Sequence, residues 1–176
     1  RRLGFLLERG ISLAAYHLPL DKHERLGNNA GLADAIGLGP ERAGFGEIRG
    51  HALGLAGSWD KEIGRAEALD RISAGVVDGA EPAFVFPFGP ETVRRVGLCT
   101  GAASDLLEEA ATAGCDLFVT GELAERAGEM ARELQITLVA AGHYATEVFG
   151  PRRLAEELGT QFSGLEAEFI DVPSPL

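Results

Sequence analysis

The run Val93-Arg94-Arg95-Val96-Gly97-Leu98-Cys99, continued by Thr100-Gly101-Ala102-Ala103-Ser104 and then Asp105–Ala113, decides the fold. An apolar run gives way to a glycine-bearing turn and then to helical spacing. The same order returns in Asp116–Val119, Thr120-Gly121-Glu122 and a helix reaching Leu134. It returns again in Ile136–Ala140, Ala141-Gly142-His143 and a helix reaching Leu158. Successive strand–turn–helix units predict an α/β fold of parallel type. Ligands in such sheets collect beyond the carboxyl ends of the strands. That rule nominates the three turns, together with Leu18–Lys22 upstream.

Outward from this core, residues 2–9 repeat apolar groups at helical spacing until Gly10. Ile11–His17 reads as a short buried strand, and Pro19 makes Leu18–Lys22 a loop at its end. Gly27-Asn28-Asn29 is a turn and N-cap signal before a helix over 30–36. A strand is expected over 47–56, a helix from Asp60 to Val77, and short strands at Ala83–Phe86 and Phe169–Val172. The domain division that follows is 1–36, the remainder of an N-terminal α/β lobe; 37–90, a less regular middle lobe or insertion; and 91–176, a C-terminal α/β lobe.

The 176 residues fit one domain or two small lobes sharing a core, and 45% apolar with 24% charged residues is ordinary globular usage. No apolar run approaches the roughly 20 residues of a membrane span. The chain opens Arg1-Arg2-Leu3 without an initiator Met or a signal peptide, so we expect the sequence to begin mid-protein. With 16 basic and 27 acidic side chains the net charge is −11, which argues against broad nucleic-acid binding. Cys99 and Cys115 form no CxxC, and two cysteines suit buried packing in a reducing cytoplasm.

His143 and Glu147 lie four apart on an expected helix, so they share a face. Together they suit Zn, Fe, Mn or Ni, and a carboxylate can bridge two ions. An exposed ion pair or helix cap explains the same spacing, and the strand-end position brings the two readings level. His17 and Asp21, in His17-Leu18-Pro19-Leu20-Asp21, form a second pair. A core histidine and an Asx-turn are its plainer explanation. Thr100–Ser104 could cradle an anion, yet it lacks the GxxxxGK[ST] lysine and the GxGxxG spacing. A glycine turn with Ser104 as N-cap is the plainer account. Glu122 is either a dipole-stabilised acid in a first helical turn or a catalytic carboxylate. His23 and His51 read as surface residues, and Trp59 as packing.

Ala15–Asp21, Gly27-Asn28-Asn29, Asp116–Glu122, Gly142–Glu147 and the closing Phe169–Pro173 follow one another as in the Nif-three-like proteins, also called GTP cyclohydrolase I type 2 homologues or dinuclear metal-centre proteins. The chain resembles that family over nearly its whole length. The resemblance implies an α/β fold of two related lobes around two divalent ions. It places Asp21, His143 and Glu147 as metal ligands, Glu147 often bridging, with His17 beside the site. It also implies a His-His doublet upstream of the H-x-P-x-D motif; the sequence holds no adjacent histidines, and that place falls ahead of Arg1. Homo-oligomers, often hexameric rings, are implied as well.

The expected activity is that of a cytoplasmic metal-dependent hydrolase acting on a small-molecule substrate through a water activated between two cations. In it, His17 moves a proton and Glu122 is a reserve base. The rival expectation is a non-catalytic metal-binding or regulatory scaffold acting through partners. A nucleotide-binding module built on Thr100–Ser104 is a third.

Overall fold

The computed structural model describes residues 1–76 and 82–174. Among them, six strands form one mixed sheet in the order β1-β2-β4-β5-β6-β3. The strands are β1 (Ala43–Ile48), β2 (His51–Gly64), β3 (Phe84–Pro87), β4 (Thr92–Cys99), β5 (Leu117–Thr120) and β6 (Thr137–Ala140). The helices are α1 (Arg2–Glu8), α2 (His17–Asp21), α3 (Asn28–Ala35), α4 (Arg65–Val76), α5 (Leu107–Thr112), α6 (Ala127–Leu134), α7 (His143–Glu147) and α8 (Phe149–Gln161).

The α/β class read from the three repeated units is the one observed. β4, β5 and β6 run parallel, with Cys99 level with Thr120 and Thr120 level with Ala140. β5 and β6 are buried along their whole length, as parallel strands covered on both faces must be. Side chains alternate between the two cores. Leu98, Leu117, Val119 and Val139 face α3 and α4, whereas Cys99, Phe118 and Leu138 face α5 and α6. Because the three strands end level, the chain leaves all three toward the same edge of the sheet.

Several local expectations are corrected. Ile11–His17 is not a buried strand: Ile11, Leu13 and Tyr16 are exposed, and no strand among the described residues pairs with it. Apolar spacing reports a face that needs cover, but a strand also needs a ladder partner. His17–Asp21 is one helical turn rather than a loop. Pro19 is tolerated there because first-turn amides have no helical acceptor. In place of one strand over 47–56 there is a hairpin. Arg49 and Gly50, at φ 53° and 80°, make its two-residue turn, the geometry that matches strand twist. β2 then runs on through Asp60–Gly64, where helix was expected, past an irregularity between Ser58 and Ile63. The expected end of the following helix, Val77, lies outside the described residues. Phe169–Val172 forms no strand; Asp171 is held instead by Tyr144 and Arg152.

Trp59 packs, as expected, but from β2: it is 2% exposed and its Nε1 donates to the Ile36 carbonyl at 2.9 Å. No helix among the described residues is long and apolar enough to cross a membrane. Trp59→Ala should cost about 3–5 kcal/mol, from the cavity and the orphaned carbonyl. Trp59→Phe, which keeps most of the volume, should cost about 1–2 kcal/mol. Urea denaturation midpoints of the two variants check the order.

Candidate metal centre

The level ends of β4, β5 and β6 set the site. The Gly101 carbonyl accepts from Gly121 N at 2.8 Å, Glu122 N at 3.0 Å and Thr120 Oγ1 at 3.1 Å. Gly101 N donates to Thr146 Oγ1 at 3.1 Å. Gly101 thus joins the turn after β4, the turn after β5 and helix α7. The same bonds answer the anion-cradle reading, because the amides of Thr100, Gly101 and Ala103 are all taken by side chains. Nor is Ser104 an N-cap: its Oγ accepts Ala124 N at 2.9 Å and holds the loop before α6. Glu122 lies in that loop and not in a helical turn.

Glycine at 101 is required twice over. Its φ is +70°, and a Cβ there would stand 2.3 Å from Glu147 Oε1 and 3.3 Å from His143 Nε2. The carboxylate and the imidazole therefore lie directly over its backbone. α7 presents them both: His143 Nε2 is 3.1 Å from Glu147 Oε2, and His143 Nδ1 meets Glu122 Oε1. Both ring nitrogens face carboxylates, an arrangement that favours the charged, doubly protonated ring. Burial alone would lower the His143 pKa, but the Glu122 and Glu147 carboxylates outweigh it and raise it above its ordinary 6.5. Burial raises the Glu147 carboxyl above 4.5, opposed by His143 and reinforced by the charge of Asp21.

Asp21 arrives from the opposite end of the chain. It closes α2, is 9% exposed, and places Oδ2 3.9 Å from His17 Nε2. His17, Asp21 and Glu147 each offer one donor atom, all within 4.8 Å of one another. The fold therefore brings His17, Asp21, Glu122, His143 and Glu147 to one place. Within it His17 is itself a donor in the tight group, while His143 adjoins that group through Glu147. One exposed imidazole and two carboxylates, one buried and one half-buried, beside an acidic neighbour are a donor set that suits a divalent cation. A buried hydroxyl, Thr100 Oγ1, adjoins Gly101 with no hydrogen-bond partner among the described residues.

Other side chains at the site were not legible as such. Asn28 and Asn29, read as a turn signal, are buried in the first turn of α3. Asn28 bonds Asp21, and Asn29 bonds Thr100 N. In the sequence they stand out only as the Gly27-Asn28-Asn29 motif at a helix start, which says nothing of what their amides bond. Cys99 and Cys115 are buried and free, as expected. Burial, with Asp21 adding, pushes the Cys99 thiol up to about 12, so it stays protonated.

A family model described as Duf34/NIF3 (NGG1p interacting factor 3) matches residues 1–175. A GTP cyclohydrolase 1 type 2 homolog of Archaeoglobus fulgidus is 39% identical over 176 residues, covering 100% of this chain and 68% of the relative. The homolog of the same name from Salmonella typhimurium is 40% identical over 175 residues, covering 99% and 67%. Among solved structures, protein ybgI, described as of unknown function, matches at TM-score 0.86 and 39% identity over 99% of this chain and 67% of its own. A protein of Thermus thermophilus matches at TM-score 0.79 and 34% identity, covering 99% and 66%.

Gly101→Ala separates the site from the fold. The clash falls on the mobile end of Glu147, so the carboxylate moves and the fold loses only about 1 kcal/mol from the left-handed backbone. Divalent-ion affinity should fall at least about tenfold, read by titration calorimetry beside a nearly unchanged melting curve.

Proposed function

The chain belongs to the Duf34/NIF3 family, and we propose from that premise that it is a cytoplasmic metal-dependent hydrolase with a dinuclear centre. Asp21, His143 and Glu147 would hold two divalent ions of Zn, Fe, Mn or Ni, with His17 beside them. The observation that carries this reading is the convergence of His17, Asp21 and Glu147, donors from the two ends of the chain.

Bound divalent ions supply Lewis acidity and bring the pKa of a water toward neutrality. The protein's own groups do the rest. Asp21 and Glu147 supply the anionic oxygens. Glu122, against Nδ1 of His143, keeps the ring proton on that atom and so leaves Nε2 as the donor that faces a cation. His17, with its side chain 76% exposed, can pass a proton between the site and solvent. A cavity of about 430 Å³ opens beside Glu122, His143 and Glu147 and is walled by Val148, Pro151 and Phe169. It offers room for a small molecule. A second reading, a metal-binding scaffold that assembles into homo-oligomeric rings or binds partners, draws on exposed Leu3, Leu7, Leu13 and Tyr16 at one end of the chain.

Purified protein should carry about two transition-metal ions per chain, measured by elemental analysis. Asp21→Ala or Glu147→Ala should strip them and leave the circular dichroism spectrum unchanged. Metal retained in both variants would sink the site. Metal lost from variants of a protein that hydrolyses nothing across a panel of nucleotides and esters would favour the scaffold.

The pH response has a definite sign. The raised pKa values of His143 and Glu147 mean that both bind protons more tightly folded than unfolded. Their stabilisation of the metal-free protein is present below the unfolded values and fades as pH rises through the folded ones. A cation must displace those same protons. The rise in melting temperature on adding Mn²⁺ should therefore be larger at about pH 8 than at about pH 6. Equal gains at both would contradict it.

A further inference from the structure

We propose that Asn28 is the positioning residue of this centre: its one amide fixes both the orientation of Asp21 and the seat of the helix pair that carries Glu147. The inference rests on the metal-centre reading above. Asn28 is 4% exposed. Its Nδ2 donates to Asp21 Oδ1 at 2.7 Å, and its Oδ1 accepts Gly150 N at 2.6 Å. A carboxylate only accepts and a backbone N–H only donates, so turning the amide over would break both bonds. The two partners lie seven residues upstream and 122 downstream of Asn28.

Each bond has a consequence for a donor. With Oδ1 engaged, the oxygen Asp21 turns toward His17 is Oδ2, 3.9 Å from Nε2. Gly150 lies in the first turn of α8, just past Glu147, so the second bond indexes the α7–α8 junction against α3. Asn28 thus bonds Asp21 directly and the backbone three residues past Glu147, without being a donor itself.

The surrounding glycines make the reach possible by space and not by backbone conformation. A Cβ at Gly27 would stand 2.5 Å from the Leu20 carbonyl and 2.6 Å from that of Asp21. One at Gly31 would stand 2.3 Å from Phe149 Cβ, and one at Gly150 2.9 Å from Asn28 Oδ1. None of the three has a positive φ. They bring α2, α3 and α8 close enough for one short amide to span them.

Asn29 is the internal control. It is equally buried at 3%, its Nδ2 donates to the Leu53 carbonyl at 2.6 Å and its Oδ1 accepts Thr100 N at 2.9 Å, yet neither bond reaches a proposed ligand. A merely structural role predicts like behaviour for both residues. The test is calorimetric titration of Mn²⁺ into the purified full chain and its Asn28→Ala and Asn29→Ala variants, beside melting curves without metal. Both variants should melt earlier by similar amounts. Asn28→Ala should lose about 10–100-fold in Mn²⁺ affinity, while Asn29→Ala should stay within about threefold of the parent. Asn28→Ser, polar but too short to span both partners, repeats the test if the alanine variant does not fold. Parent-like affinity in the Asn28 variants, or equal losses in both residues' variants, overturns the proposal. A parent protein without Mn²⁺ affinity, matched by Asp21→Ala, overturns the metal-centre reading and this inference with it.

Discussion

The Gly101 carbonyl is the point on which the site turns. Two backbone amides from the turn after β5 and the hydroxyl of Thr120 at the end of β5 converge on it, and the N–H of the same residue holds Thr146 on α7. This junction requires strands that end level, since a one-residue slip between β4 and β5 would carry the Gly121 and Glu122 amides out of reach. The level ends in turn follow from burial. β5 and β6 have no solvent face, so their register is set by two packed layers at once. The interior of the sheet thus specifies the geometry at its edge.

That edge gathers groups that repel one another. Asp21, Glu122 and Glu147 bring three carboxylates to a partly buried place, with the imidazoles of His17 and His143 beside them. The raised pKa of Glu147 shows the conflict: burial and the neighbouring Asp21 both work against its charge. His143, whose charged form the two carboxylates favour, offsets part of this. A protein selected for stability alone would have no reason to keep the arrangement. In the proposed centre a divalent cation would relieve this repulsion, with Nε2 of His143 as a ligand and Glu122 holding the proton on Nδ1.

What could be read from the sequence divides along physical lines. The units after Thr92 were legible because each apolar run is short, fully buried and closed by a glycine turn. His143 and Glu147 were legible through helical spacing, and Asp21 and His17 through their motif. The hairpin was not, because its turn uses Arg49 where asparagine or aspartate is usual. The charged stretch Asp60-Lys61-Glu62 imitates a helix start while lying in a strand. Ile11–His17 has strand-like residues but no neighbouring strand. The contributions of Gly101, Thr146 and Asn28 come from close approaches between segments far apart in the chain, and no local pattern reports those.

The two asparagines show what such approaches add. Opening an alanine-rich helix with two buried amides is a poor choice for helix stability, because each must find partners for both of its faces. Here all four faces are satisfied, and by four different segments. An apolar pair of similar volume would bury as well but could slide along its neighbours. A satisfied amide cannot slide, since a shift of one ångström breaks a bond that nothing else replaces. The asparagines therefore act as pins. They set where α3 sits along the loop after β4, along the hairpin and along the start of α8. Of the two pins it is Asn28 that bears on the proposed ligands Asp21 and Glu147, which lie more than a hundred residues apart, because a coordination site would tolerate errors of only a few tenths of an ångström. The glycines around Asn28 belong to the same device, for they remove every methyl group that would hold the helices apart.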